Sequence, residues 1–234
     1  MQTRSRSLIS LGSAAAAVLI AAGMAAPARA DVVIYNGGAP DQGGQIYAQA
    51  PIQFVAMNFI LAPGSNTITG ANWWGGCFPA VTCGSSPDFL LGIFPDVSGV
   101  PDTTAGFLVF DAGSANQTAT GNLIGPPSGT QWDEYAYSTT FSPVTLTAGV
   151  QYWFALYNQA PEPAGAFGVE TTSSAPPGQL LIGSDGFSFT PLPETLAFQL
   201  TGHAASTPEP ASLALLGTAV AGLGFLLQRR RKRA

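Results

Sequence analysis

Val55-Ala56-Met57-Asn58-Phe59-Ile60-Leu61-Ala62-Pro63-Gly64-Ser65-Asn66 is the stretch on which the fold turns. Val55, Met57, Phe59 and Leu61 fall at every second position, the spacing that puts side chains on one face of a strand. Pro63-Gly64-Ser65-Asn66 then breaks the run as a turn. The same alternation returns in Phe89, Leu91 and Ile93, in Tyr135, Tyr137, Thr139 and Phe141, and in Val150, Tyr152, Phe154 and Leu156. Between these runs stand Asp96-Val97-Ser98-Gly99, Gly125-Pro126-Pro127-Ser128-Gly129 and Pro161-Glu162-Pro163. Short alternating runs punctuated by glycine and proline, with no repeat at a fixed period, predict an all-β domain: an antiparallel, jelly-roll-like β-sandwich of eight or more strands. A closed barrel is the alternative.

Charge is distributed unevenly. Residues 31–207 hold 12 of the 13 acidic side chains and none of the 8 basic ones, so the chain's net −5 understates how acidic this region is. A surface without ammonium or guanidinium groups has nothing to neutralise phosphates, which excludes nucleic acid as a partner. It also has no Lys or Arg for ion pairs, so the fold must rest on apolar burial, backbone hydrogen bonds and turns.

The ends read as addressing segments. Arg4 and Arg6, the Ala-rich apolar residues 8–26 and the small-x-small Ala28-Arg29-Ala30 make residues 1–30 a signal peptide, cut by signal peptidase so that the mature chain begins at Asp31. A β-sandwich over residues 31–201 and a linker at 202–207 then lead to Pro208-Glu209-Pro210. An apolar run at 211–227 follows, long enough for a helix of roughly 26 Å, the short end of what spans a bilayer. Arg229, Arg230, Arg231, Lys232 and Arg233 form a basic stop-transfer tail, which should stay cytoplasmic and leave the domain outside the inner membrane.

The order of motif, single apolar helix and basic tail over residues 208–234 resembles the PEP-CTERM sorting signal. That resemblance implies exosortase as a partner and a Gram-negative, polysaccharide-producing bacterium as the source. It implies an inner-membrane tether by the C-terminal helix, then release to the cell surface or biofilm matrix. Leu192-Pro193-Glu194-Thr195-Leu196 looks like a Gram-positive sortase signal, but Leu196 stands where that family has glycine. It reads instead as a turn into a last strand with Leu196, Phe198 and Leu200 on one side. Thr69-Gly70-Ala71-Asn72-Trp73-Trp74-Gly75, Ile93-Phe94-Pro95-Asp96 and residues 146–153 loosely resemble galactose-binding-like and carbohydrate-binding modules.

Candidate chemistry is sparse. Cys77 and Cys83 are the only cysteines, close together in an exported chain, and read as a disulfide. His203 is the only histidine and is read as lying in the spacer beyond the last strand, where no catalytic triad can hold it. With no lysine in the domain, Ser-Lys and Schiff-base chemistry fall away too, and the domain reads as non-enzymatic. Asp133, Glu134, Glu170 and Asp185 are formally available for a glycosidase, the least favoured reading, and read first as solvated acids. No cofactor is expected beyond a weak calcium possibility at Asp96 and Asp102, among the loop acids that include Asp88 and Asp111. Trp73, Trp74 and Trp132 are the candidates for stacking against exopolysaccharide sugars, within a set of aromatics that includes Tyr135, Tyr137, Tyr152 and Trp153. Since neighbours on a strand face opposite ways, one of Trp73 and Trp74 should be buried. The expectation is a structural or adhesive surface protein, with a carbohydrate-binding module as the alternative.

Overall fold

Alternation becomes two sheets. The computed structural model describes residues 31–49, 53–78, 87–104, 108–125, 129–159, 166–173, 178–183 and 188–203, and these contain strands and no helix. An antiparallel sheet of eight strands is built from β1 (Val32–Asn36), β2 (Gly44–Tyr47), β4 (Thr67–Phe78), β8 (Asn116–Ile124), β9 (Trp132–Thr145), β11 (Ala166–Thr172), β14 (Thr195–Leu196) and β15 (Phe198–His203). A second, of seven, contains β3 (Phe54–Ile60), β5 (Asp88–Val97), β6 (Val100–Pro101), β7 (Leu108–Ser114), β10 (Gln151–Asn158), β12 (Leu180–Gly183) and β13 (Phe189–Leu192). The described residues therefore form an all-β sandwich, as the alternating runs predict.

The long strand β4 organises the first sheet. β9 lies along one side of it; on the other, β15 pairs with its first half and β11 with its last residues. β2 extends the sheet beyond β11, and β1 extends it beyond β15. In the second sheet β10 is central, with Phe154 opposite both Met57 and Ile93, and Leu156 opposite both Val55 and Leu91.

The predicted inward faces form the core. Val55, Met57, Phe59, Leu61, Phe89, Leu91, Ile93, Phe154 and Leu156 are all buried, as are Leu196, Phe198 and Leu200. Phe154 of one sheet stacks on Phe198 of the other with centroids 4.9 Å apart. Phe89 meets Trp73, Tyr137 and Phe167 edge-on at 4.8–5.0 Å, a geometry that adds about 0.5–1.5 kcal/mol per ring pair beyond area burial.

Three boundaries differ from the sequence expectation. Val150 lies in the turn before β10 and is 44% exposed rather than sharing the inward face. Of the predicted Tyr135–Phe141 face only Tyr137 is fully buried; Tyr135, Thr139 and Phe141 are half-buried. His203 is the last residue of β15, paired with Thr67, and its Nδ1 sits 3.2 Å from Asp31 Oδ1. It is therefore held on a strand rather than in the spacer. Ser98 and Gly99, both with positive φ, make the two-residue turn between β5 and β6 that Asp96-Val97-Ser98-Gly99 signals. The signal peptide, Cys83, Asp185, Pro161-Glu162-Pro163 and the whole of 204–234 lie outside the described residues.

Candidate functional site

Strand alternation that builds the core on one face of the first sheet builds a polar site on the other. Along β4, Ala71, Trp73 and Cys77 point inward, so Trp74 and Gly76 point outward. Phe167 and Val169 of β11 point inward, leaving Gly168 and Glu170 outside. On β9, Tyr135 and Tyr137 face the core and Trp132 and Glu134 the other way. Gly76 and Gly168 are direct partners, so this face has a patch with no side chains of its own.

Neighbouring groups fill the patch. A Cβ on Gly76 would come within 2.7 Å of the Asp133 carbonyl oxygen, and one on Gly168 within 2.7 Å of Gln45 Cδ and Oε1. Gln45 reaches over Gly168 from β2, where it is the register partner of Glu170. Ile124, fully buried at the end of β8, closes in from the other side.

Two carboxyls enter this enclosure. Glu134 is 1% exposed and Glu170 0%. Glu170 Oε1 accepts a hydrogen bond from the Gln42 backbone N–H at 2.7 Å, and Glu134 Oε1 accepts one from Asn122 Nδ2 at 3.2 Å. Burial, with the neighbouring Glu134 carboxyl adding to it, pushes Glu170 up to about 8 against the pull of the Gln42 N–H. The remaining Oε2 of each glutamate, and Gln45 Oε1, are buried and receive no hydrogen bond.

A loop seals the enclosure. Residue Gln42 has φ 63, a left-handed conformation costly for a residue with a Cβ, and it both donates to Glu170 and accepts from the Gly125 N–H at 3.3 Å. Next to it, Asp41 Oδ2 accepts from the Ser173 N–H and hydroxyl, each at 2.7 Å. Against the upward pull of slight burial, the bonds from Ser173 and Gly43 hold Asp41 below its ordinary value.

The carboxylates singled out in the sequence separate accordingly. Glu134 and Glu170 are brought together, but in contact and sealed from solvent. A glycosidase instead holds its two carboxyls roughly 5–10 Å apart across a cleft. Asp96 is a structural hub: its Oδ1 accepts from Trp153 Nε1 at 2.7 Å and Gln151 Nε2 at 2.8 Å, and its Oδ2 from Gly99 N–H at 3.3 Å. Asp102 Oδ1 accepts from the Thr104 N–H and hydroxyl within its own loop. Among the described residues no three His, Cys, Asp or Glu side chains gather around a common point.

The aromatics divide as well. Trp73 is fully buried, stacked on Tyr137 with centroids 5.8 Å apart, so it has no face for a sugar; this corrects its place among the stacking candidates. Trp153 is likewise fully buried, on the outer side of the second sheet with Ala56, Ala155 and Leu181. Trp74 and Trp132 are half-buried on the outer face of the first sheet, and Trp132 meets the 44%-exposed Phe78 edge-on at 5.2 Å.

Beyond these strands the chain continues into the segment with Pro208-Glu209-Pro210, the apolar run and the basic tail. Residues 206–232 match the PEP-CTERM protein-sorting motif. The PEP-CTERM motif implies an exported protein that is anchored in a membrane and then processed by exosortase. No curated protein and no solved structure matches the chain. The PEP-CTERM match begins three positions after β15 ends, and β15 pairs with β1, whose first residue follows Asp31. The first and last described strands thus lie side by side at the β1 end of the first sheet. Among the described residues no helix is long and apolar enough to cross a membrane; residues 211–227 lie outside them.

Gln45, Gln42 and Asn122 give no signal as single residues. What the sequence does offer is Glu170 at the end of the otherwise apolar Ala166-Phe167-Gly168-Val169, where a solvated acid is out of place.

Proposed function

We propose that residues 31–203 form a non-enzymatic, structural or adhesive β-sandwich with jelly-roll connectivity. The inner membrane holds it through residues 211–227 until exosortase cuts near Pro208-Glu209-Pro210 and passes it to the cell surface or biofilm matrix. The PEP-CTERM motif at 206–232 carries the sorting part of this reading. It is supported by the pairing of β1 with β15, which joins the first and last described strands within one sheet, so that losing the residues before Asp31 and after His203 removes no described strand. A bridge between Cys77 and Cys83 is part of the proposal; no described cysteine is free. In the native host, deletion of the exosortase should leave the domain in the inner-membrane fraction. Equal surface display with and without the exosortase would overturn the reading.

A carbohydrate-binding role is the second reading. The Phe78–Trp132 pair supports it, because both rings stand at one end of the outer face and Phe78 is open to solvent. Exopolysaccharide retention lost in Phe78→Ala and Trp132→Ala would favour this role; retention equal to that of the parent, or none by either, would remove it.

A further inference from the structure

We propose that the outer face of the first sheet holds a divalent cation of the calcium class, with Glu134 Oε2, Glu170 Oε2 and Gln45 Oε1 as its protein ligands. The three atoms are buried, receive no hydrogen bond and belong to side chains that converge on the bare Gly76–Gly168 patch. A buried polar atom left unpaired costs free energy, and a buried carboxylate costs far more unless it meets an opposite charge. Here the domain has no opposite charge to give. Residues 31–207 contain no Lys or Arg, and the only histidine, His203, is paired with Asp31 near the β1–β15 edge.

The counter-charge therefore comes from outside residues 31–207, as a proton or as a metal ion. A single proton shared by the two glutamates leaves one negative charge buried and does nothing for Gln45 Oε1. A divalent cation neutralises both carboxylates and satisfies the amide oxygen at once. The donors are all oxygen, with neither imidazole nor thiolate among them, which selects a hard cation and disfavours zinc or copper. Three protein oxygens leave the rest of a six-to-eight-ligand calcium shell to water entering with the ion, as in weaker extracellular sites. The sealing loop fits the same purpose: Gln42 is kept at φ 63 while its N–H fixes Glu170 Oε1, and Oε2 is left buried without a donor. The site differs from Asp96, whose two carboxyl oxygens both accept from protein donors, and from Asp102, whose Oδ1 accepts twice from Thr104.

The test uses the full chain, washed with EGTA and titrated with calcium chloride by calorimetry at pH 7.5, with thermal unfolding followed in parallel. One ion should bind per chain, with Kd in the range of about 0.1–1 mM typical of extracellular modules. The unfolding temperature should rise with calcium. Glu134→Gln and Glu170→Gln keep the shape and remove a charge, so both should unfold cooperatively in EGTA yet lose at least about tenfold in affinity. Gln45→Leu should weaken binding, whereas Asp102→Asn should leave it unchanged. No calcium uptake by the parent, or uptake that survives both glutamate substitutions, would overturn the proposal and leave a shared proton as the pair's only neutraliser.

Discussion

Glu134 and Glu170 stand in contact although their strands do not pair: β9 and β11 flank β4 on opposite sides, and the carboxyls come together on the face that Gly76 and Gly168 leave bare. A pair of buried acids with no basic residue to answer them gives the domain a pH dependence whose sign is fixed. Glu170 titrates at about 8 in the folded chain against an ordinary value of 4.5. A raised carboxyl pKa means that folding favours the protonated form. The contribution is full below the unfolded value and is lost as pH rises through the folded one.

In EGTA, then, the unfolding temperature should fall between about pH 4.5 and pH 8 and flatten above it. Glu170→Gln should remove most of that fall, because a neutral amide has no proton to lose. A parent whose stability is flat over this window would show that the pair is not buried as described.

Asp96 ties the second sheet's outer cluster to the β5–β6 turn by accepting from Trp153 Nε1, Gln151 Nε2 and the Gly99 N–H. Asp96→Ala strands a buried indole N–H and should cost about 2–3 kcal/mol, read as a lower midpoint in urea. The loss should be the same with and without calcium. A loss that appears only with calcium would make Asp96 a metal ligand instead.

Trp73 packs among Tyr137 and Phe89 with no exposed surface. Trp73→Ala should destabilise by about 3–5 kcal/mol. Trp74→Ala, on the opposite and half-exposed side of the same strand, should cost much less. Comparable losses in the two variants would contradict the assignment of faces along β4.

The Cys77–Cys83 bridge predicts that the exported chain, unfolded without reductant, takes up no alkylating reagent, and that reduction lowers stability by roughly 2 kcal/mol. Two alkylated thiols in the unreduced chain would rule the bridge out.

The strand faces were legible in the sequence because period-two alternation is local: Val55 to Leu61 and Phe89 to Ile93, both of the second sheet, each declare a face within a few residues. The break between Leu196 and Phe198 into two strands, and the end of β15 at His203, were not, because pairing partners elsewhere in the chain set them. The carboxyl pair was hidden for the same reason. Glu134 and Glu170 were visible only as two acids among several, and what joins them is the strand order around β4 together with two glycines whose lack of a side chain matters only once they pair. Asp96 looked like a loop acid because its tryptophan and glutamine donors lie more than fifty residues away.

The central claim is that this domain is delivered by its C-terminal tag, and intact mass spectrometry of the protein recovered from the host's envelope and medium tests it most directly. The account predicts a chain that starts at Asp31 and has lost the segment following the Pro208-Glu209-Pro210 region. A mass that retains residues 211–234 in the mature surface protein would contradict it, leaving a membrane-anchored chain that exosortase never cuts.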